Sequence, residues 1–129
     1  MGNFDLIVPK LLLNKADDGL KAVEYLRTAG YRAGVVSITY VACVNVARSL
    51  LAYDGYDYEP AKAFQLFEKY YLGTGEFDSR LGELFKAVRR FRYESDFNPL
   101  FALGDGEVES LISRTRAFRD DVIEYIRGK

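Results

Sequence analysis

The stretch Tyr31 to Tyr53, YRAGVVSITYVACVNVARSLLAY, decides the fold. It is apolar nearly all round, and three structures compete for such a run. It is long enough for a membrane span, but Arg32, Ser37, Thr39, Asn45, Arg48 and Ser49 interrupt it and weigh against insertion. Its Val, Ile and Thr favour a strand, yet the run is too long for one, and Ala47-Arg-Ser-Leu-Leu-Ala52 reads as helix. A central helix contacted on most sides is the reading that remains.

The flanking sequence supplies the helices that cover it. Upstream, Leu12, Leu13, Ala16, Leu20, Val23 and Leu26 recur at helical steps and predict a first helix over about Pro9–Ala29, stopped by Gly30. Downstream, Asp54–Pro60 reads as a loop. A third helix follows over about Ala61–Leu72, broken by Gly73-Thr-Gly75. Leu81, Leu84, Phe85, Val88 and Phe91 mark a fourth, with Asp78 or Ser79 as its cap and an end near Asp96, ahead of Asn98-Pro99. After a loop over Leu100–Gly106, Asp105 is the expected cap of a last helix. Its inner face is Val108, Leu111, Ile112, Thr115, Phe118, Val122 and Ile126. The fold class is all-α: an antiparallel up-and-down bundle of four to five helices in a single domain over residues 1–129.

Composition narrows the chemistry. The chain has 129 residues and a net charge of −1, from 18 basic and 19 acidic side chains, which argues against an unselective nucleic-acid coat. It has no histidine, so imidazole triads and most zinc sites are excluded. Acidic residues are scattered without metal-loop spacing, and no metal or cofactor is implied. The single cysteine, Cys43, cannot form an internal disulfide and lies in an apolar run, as a small buried hydrophobe does. No basic region precedes an apolar stretch at the N-terminus, so the expected location is cytoplasmic, off the membrane.

Two segments carry unusual polarity. Ser37, Asn45 and Arg48 form a polar line on the apolar second helix. An arginine there either reaches a carboxylate, opens onto a groove or interface, or buries only its stem. The second segment, Arg89-Arg-Phe-Arg-Tyr-Glu-Ser-Asp-Phe97, places three arginines in four positions. Arg92 and Asp96 lie one helical turn apart and can pair, and basic residues suit a helix C-terminus. The same arginines beside Tyr93 and Phe97 could instead contact phosphate or stacked bases.

These segments resemble a known family. Gly30–Leu51 is similar to the second helix of HEPN domains. That helix carries Gly-x-Tyr, then Ala-Val-Ser-Arg-Ala-Tyr-Tyr-Ala, then Ala-Ala-Arg-x-Leu-Leu. Thr74–Phe85 resembles the family's third connection and fourth helix. Arg92-Tyr-Glu-Ser-Asp-Phe97 resembles its Arg-x-x-Ala-Asp-Tyr signature. The likeness spans about Lys15–Ile126.

The resemblance implies a bundle that homodimerises through its second and fourth helices. It also implies a small nucleotidyltransferase partner, a nucleotide or RNA, in a toxin–antitoxin-like pair. Active HEPN ribonucleases carry Arg-x4-His at the end of this helix. Here the arginine corresponds to Arg92 and the histidine to Phe97, which can neither accept nor donate a proton. Ile38, Val41, Asn45 and Ala61 also depart from the family pattern. The polar residues that remain are Ser37, Tyr40, Arg48, Arg92 and Asp96; with Asn45 they form the expected nucleotide- or partner-binding set.

Three functions stay open at this level. The first is a non-catalytic HEPN module, in which the guanidinium of Arg92 and the amide of Asn45 face a common cavity within one molecule or across a twofold mate. The second is a metal-independent ribonuclease using Arg92 with Asp96 or Glu94 as base. The third is a purely structural or regulatory interaction domain. The loss of histidine at Phe97 weighs against an enzyme.

Overall fold

A computed structural model describes residues 6–128. Its helices are α1 (Ile7–Thr28), α2 (Arg32–Tyr53), α3 (Ala63–Phe67), α4 (Leu81–Phe97) and α5 (Asp105–Gly128), with no strand among the described residues. A short 3₁₀ turn, Pro60–Lys62, leads into α3, and a π-helical turn, Glu68–Leu72, carries it on. The third helix expected from sequence is thus three helical types in succession. The Gly73 N–H closes the π turn on the Glu68 carbonyl at 2.8 Å.

α2 is the hub, packing against α1, α3, α4 and α5. Val35, Val36, Cys43, Val46, Ala47, Leu50 and Leu51 are all buried on it. Among the described residues it is the one helix long and apolar enough to cross a membrane by composition, and 67% of that window is buried against its neighbours. α1 runs antiparallel to it, with Gly19 against Ile38 and Ala42, and Leu26 against Gly34. Small residues at both positions let the helices approach closely. A Cβ on Gly19 would come within 3.2 Å of Ile38 Cγ2.

Both helices end the same way. Gly30 and Gly55 adopt φ of 85° and 81°, which an L side chain resists. The next residues close the turn, Tyr31 N–H on the Leu26 carbonyl and Tyr56 N–H on that of Leu51, each at 2.9 Å. α4 stops at Phe97 because Asn98, ahead of Pro99, turns extended.

Two expected caps are corrected. Asp78 accepts the Arg80 N–H at 2.9 Å in the turn before α4, and no side chain caps the helix, which begins at Leu81. Asp105 lies inside α5, where its carboxylate takes Arg32 from the start of α2. Glu107 reaches back to the Gly104 N–H instead.

α5 is tied to α1 by Arg119, which grips both oxygens of Asp17 at 2.7 and 2.9 Å, and by Arg116 on Glu24. Beneath lies an aromatic core. Phe67 is fully buried, with Tyr71, Phe77, Phe85 and Phe118 ring centres at 4.6, 5.2, 5.6 and 5.1 Å. The edge-on arrangements among them suit the quadrupoles of aromatic rings. Cys43 is also fully buried, and burial pushes its thiol well up, against a smaller lowering by Thr115. Phe67→Ala should remove the centre of this cluster and lower unfolding free energy by about 3–5 kcal/mol, measured by urea denaturation.

Candidate functional site

Along α2, the residues facing away from the core form a stripe: Ser37, Val41, Asn45 and Arg48. α4 crosses one end of it, and the 54–60 loop closes the other. The polar residues read from sequence fall into two groups along this stripe.

The first group joins α2 to α4. The Arg92 guanidinium lies 4.8 Å above the Tyr40 ring. Its Nε is 3.7 Å from Asp96, one turn on, and Ser37 Oγ donates to the other Asp96 oxygen at 3.4 Å. Tyr40 meets Phe64 edge-on at 6.0 Å, and Arg89 lies 5.6 Å over that Phe64 ring. Two cations are therefore held over aromatic faces, an arrangement worth about 0.5–1 kcal/mol each when exposed. Glu94 is turned away. Its carboxylate takes the Asn98 side-chain amide at 2.8 Å and closes the end of α4.

The second group lies at the other end of the stripe. Arg48 donates from Nε to the Tyr58 carbonyl at 2.7 Å and from Nη1 to Asn45 Oδ1 at 3.1 Å, with its guanidinium 5.7 Å over the Tyr58 ring. Of the alternatives open for Arg48, it reaches no carboxylate among the described residues; half-buried, it opens onto a groove and donates to a backbone carbonyl, an acceptor not foreseen from sequence. The loop is pinned elsewhere too. Tyr71 donates to Asp54 at 2.6 Å, and Tyr56 stacks on Tyr70 at 3.9 Å. Burial, with the Asp54 carboxylate beside it, pushes the Tyr71 hydroxyl well up.

Between the stripe and the loop runs an open groove of about 520 Å³, whose walls include Lys15, Asn45, Arg48 and Pro60. Tyr40 lines it and also lines a neighbouring cavity of about 330 Å³ that contains Arg89 and Glu68. Arg92 lines neither. Within one molecule, then, Arg92 and Asn45 do not share a cavity; the Tyr40 ring stands between them. Lys15 was not singled out from sequence, because nothing along the chain ties α1's polar side to α2. No cluster of three metal-binding side chains occurs among the described residues.

No family model matches the chain, and neither a curated protein nor a solved structure does. The HEPN likeness therefore rests on the quoted residues, and the site on its own geometry.

Arg48→Met keeps the stem and removes both hydrogen bonds. It should cost about 1–3 kcal/mol, the usual effect of a lost charged hydrogen bond. It should also speed proteolytic cleavage within residues 54–60. An unchanged cleavage pattern would mean that Tyr71 and Tyr56 hold the loop without it.

Proposed function

We propose that this protein is a non-catalytic HEPN-like module of the cytoplasm. It pairs with a second copy across the open faces of α2 and α4 and binds a nucleotidyltransferase partner or a nucleotide beside Arg92. The observation that carries this reading is the surface around that arginine. Arg92 is steadied by Tyr40 and Asp96, and later on the same helix Tyr93 and Phe97, 63% and 69% exposed, meet ring to ring at 5.1 Å. Val41 on α2 is 51% exposed. Aromatic side chains and arginine are the residues enriched at protein interfaces, and grouped apolar exposure marks a binding surface.

The neighbours of Arg92 support a module without catalysis. Phe97 occupies the position of the family's histidine. Glu94 is committed to Asn98, and Asp96 receives Ser37 while facing Arg92. A second reading, a weak ribonuclease, draws on the nearness of Asp96 to Arg92. There Asp96 takes the proton of an RNA 2′-hydroxyl while Arg92 steadies the developing negative charge.

Sedimentation of the purified chain should show a dimer at micromolar concentration. Phe97→Asp should weaken it by about tenfold or more, as loss of an interface anchor does, and its melting temperature should match that of wild type only at dilutions where both are monomeric. A monomer at every concentration reached would leave a structural or regulatory domain in place of this reading. RNA incubated with wild type and Arg92→Ala should be cleaved at one shared background rate. A faster wild type would move the assignment to the ribonuclease.

A further inference from the structure

Arg48 is half-buried, yet its hydrogen bonds go to a backbone carbonyl and a side-chain amide, both neutral. No carboxylate lies within ion-pair distance of it among the described residues. A partly desolvated cation normally has an anionic partner.

Its neighbour Asn45 is only 7% exposed, and the bond to Arg48 fixes its orientation. A guanidinium only donates, so the amide oxygen faces Arg48, which leaves the NH₂ as the remaining donor of a residue that lines the groove. That NH₂ has no partner among the described residues. Lys15 lines the same groove from α1 and forms no ion pair among the described residues, and Tyr40 lines it as well. No aspartate or glutamate lines the groove. In the adjoining loop, Asp57 is engaged by the Glu59 N–H, and Asp54 by Tyr71. The remaining walls, Val41, Val44, Pro60 and Ala61, are apolar.

We infer that this groove binds a small oxyanion, a carboxylate or phosphate, carried on an apolar group. The oxyanion meets the Asn45 NH₂ and the Lys15 ammonium in the field of Arg48, and the apolar part lies on Val41, Val44 and Pro60. The volume of about 520 Å³ is in the range of small-molecule sites. The inference rests on reading this face of α2 as a binding surface. It does not require the face to be covered by a second copy.

Asn45→Asp is the deciding variant. It keeps the shape and the bond to Arg48, but turns the one amide donor into a negative acceptor. Lys15→Gln removes an exposed charge with no packing role. The chain is titrated with phenyl phosphate and, separately, benzoate, following the backbone amide resonances of Lys15, Val41, Val44 and Arg48 and the melting temperature, while sedimentation reports the oligomeric state of each sample. Saturable binding of at least one probe is expected, weakened by about tenfold or more in Asn45→Asp and less in Lys15→Gln. Arg80→Gln, outside the groove and paired with Asp78, should bind as wild type does. The probe that binds more tightly identifies the head group as phosphate or carboxylate. No saturable binding of either probe, or equal affinity in wild type and Asn45→Asp, overturns the inference. A dimer persisting in that case would leave the pairing reading intact. A monomer that still binds the probe would remove the pairing and keep the groove.

Discussion

The burial of α2 constrains everything else in this protein. Four α-helices and the 3₁₀ turn pack against it, and most of its length is removed from water. Apolar burial of this extent is the dominant favourable term in a small domain. It also leaves one stripe only partly covered, with Val41 exposed, Ser37 and Arg48 half-buried and Asn45 nearly buried. Three polar residues of α2 lie along that stripe, where Ser37 and Arg48 reach partners on α4 and the 54–60 loop. The open face is thus what remains after the core is satisfied, and its polar residues are held by the elements flanking it.

The two halves of the stripe differ in chemistry. At the α4 end, positive charge is balanced by Asp96 and spread over aromatic rings, with exposed Tyr93 and Phe97 alongside. Such a surface suits contact with another macromolecule. At the loop end, Arg48 meets only neutral acceptors, and the groove presents donors between apolar walls. Tyr40 separates them while touching both, so a ligand in the groove and a partner on α4 would press on the same ring.

Much of the architecture was legible in the sequence. The length and apolarity of residues 31–53 distinguished a buried helix from a strand, and the phases of Leu81–Phe91 and Val108–Val122 gave the faces that cover it. Gly30 stopped α1 as its backbone freedom suggests. The caps were misread because Asp105 had a competitor for its carboxylate, Arg32, far away in sequence. The π turn after Phe67 has no signal in side-chain periodicity, since it depends on which carbonyl the Gly73 N–H reaches. Of the site, helical spacing aligned Ser37, Asn45 and Arg48, and the pairing of Arg92 with Asp96. It could not show that Arg48 is occupied by the Tyr58 carbonyl, because a backbone acceptor leaves no mark on residue identity. Nor could it place Lys15 opposite Asn45, which depends on the register between α1 and α2.

The central claim is that the open face of α2 is a recognition surface, covered when two copies meet. Val41 lies on that face, and the only native thiol, Cys43, is fully buried. A Val41→Cys variant therefore offers one reactive position. Its rate of reaction with a thiol reagent, followed as protein concentration rises, tests the claim most directly. The account predicts a rate that falls with concentration as the face becomes covered. A rate that stays constant and equal to that of a free thiol would contradict it.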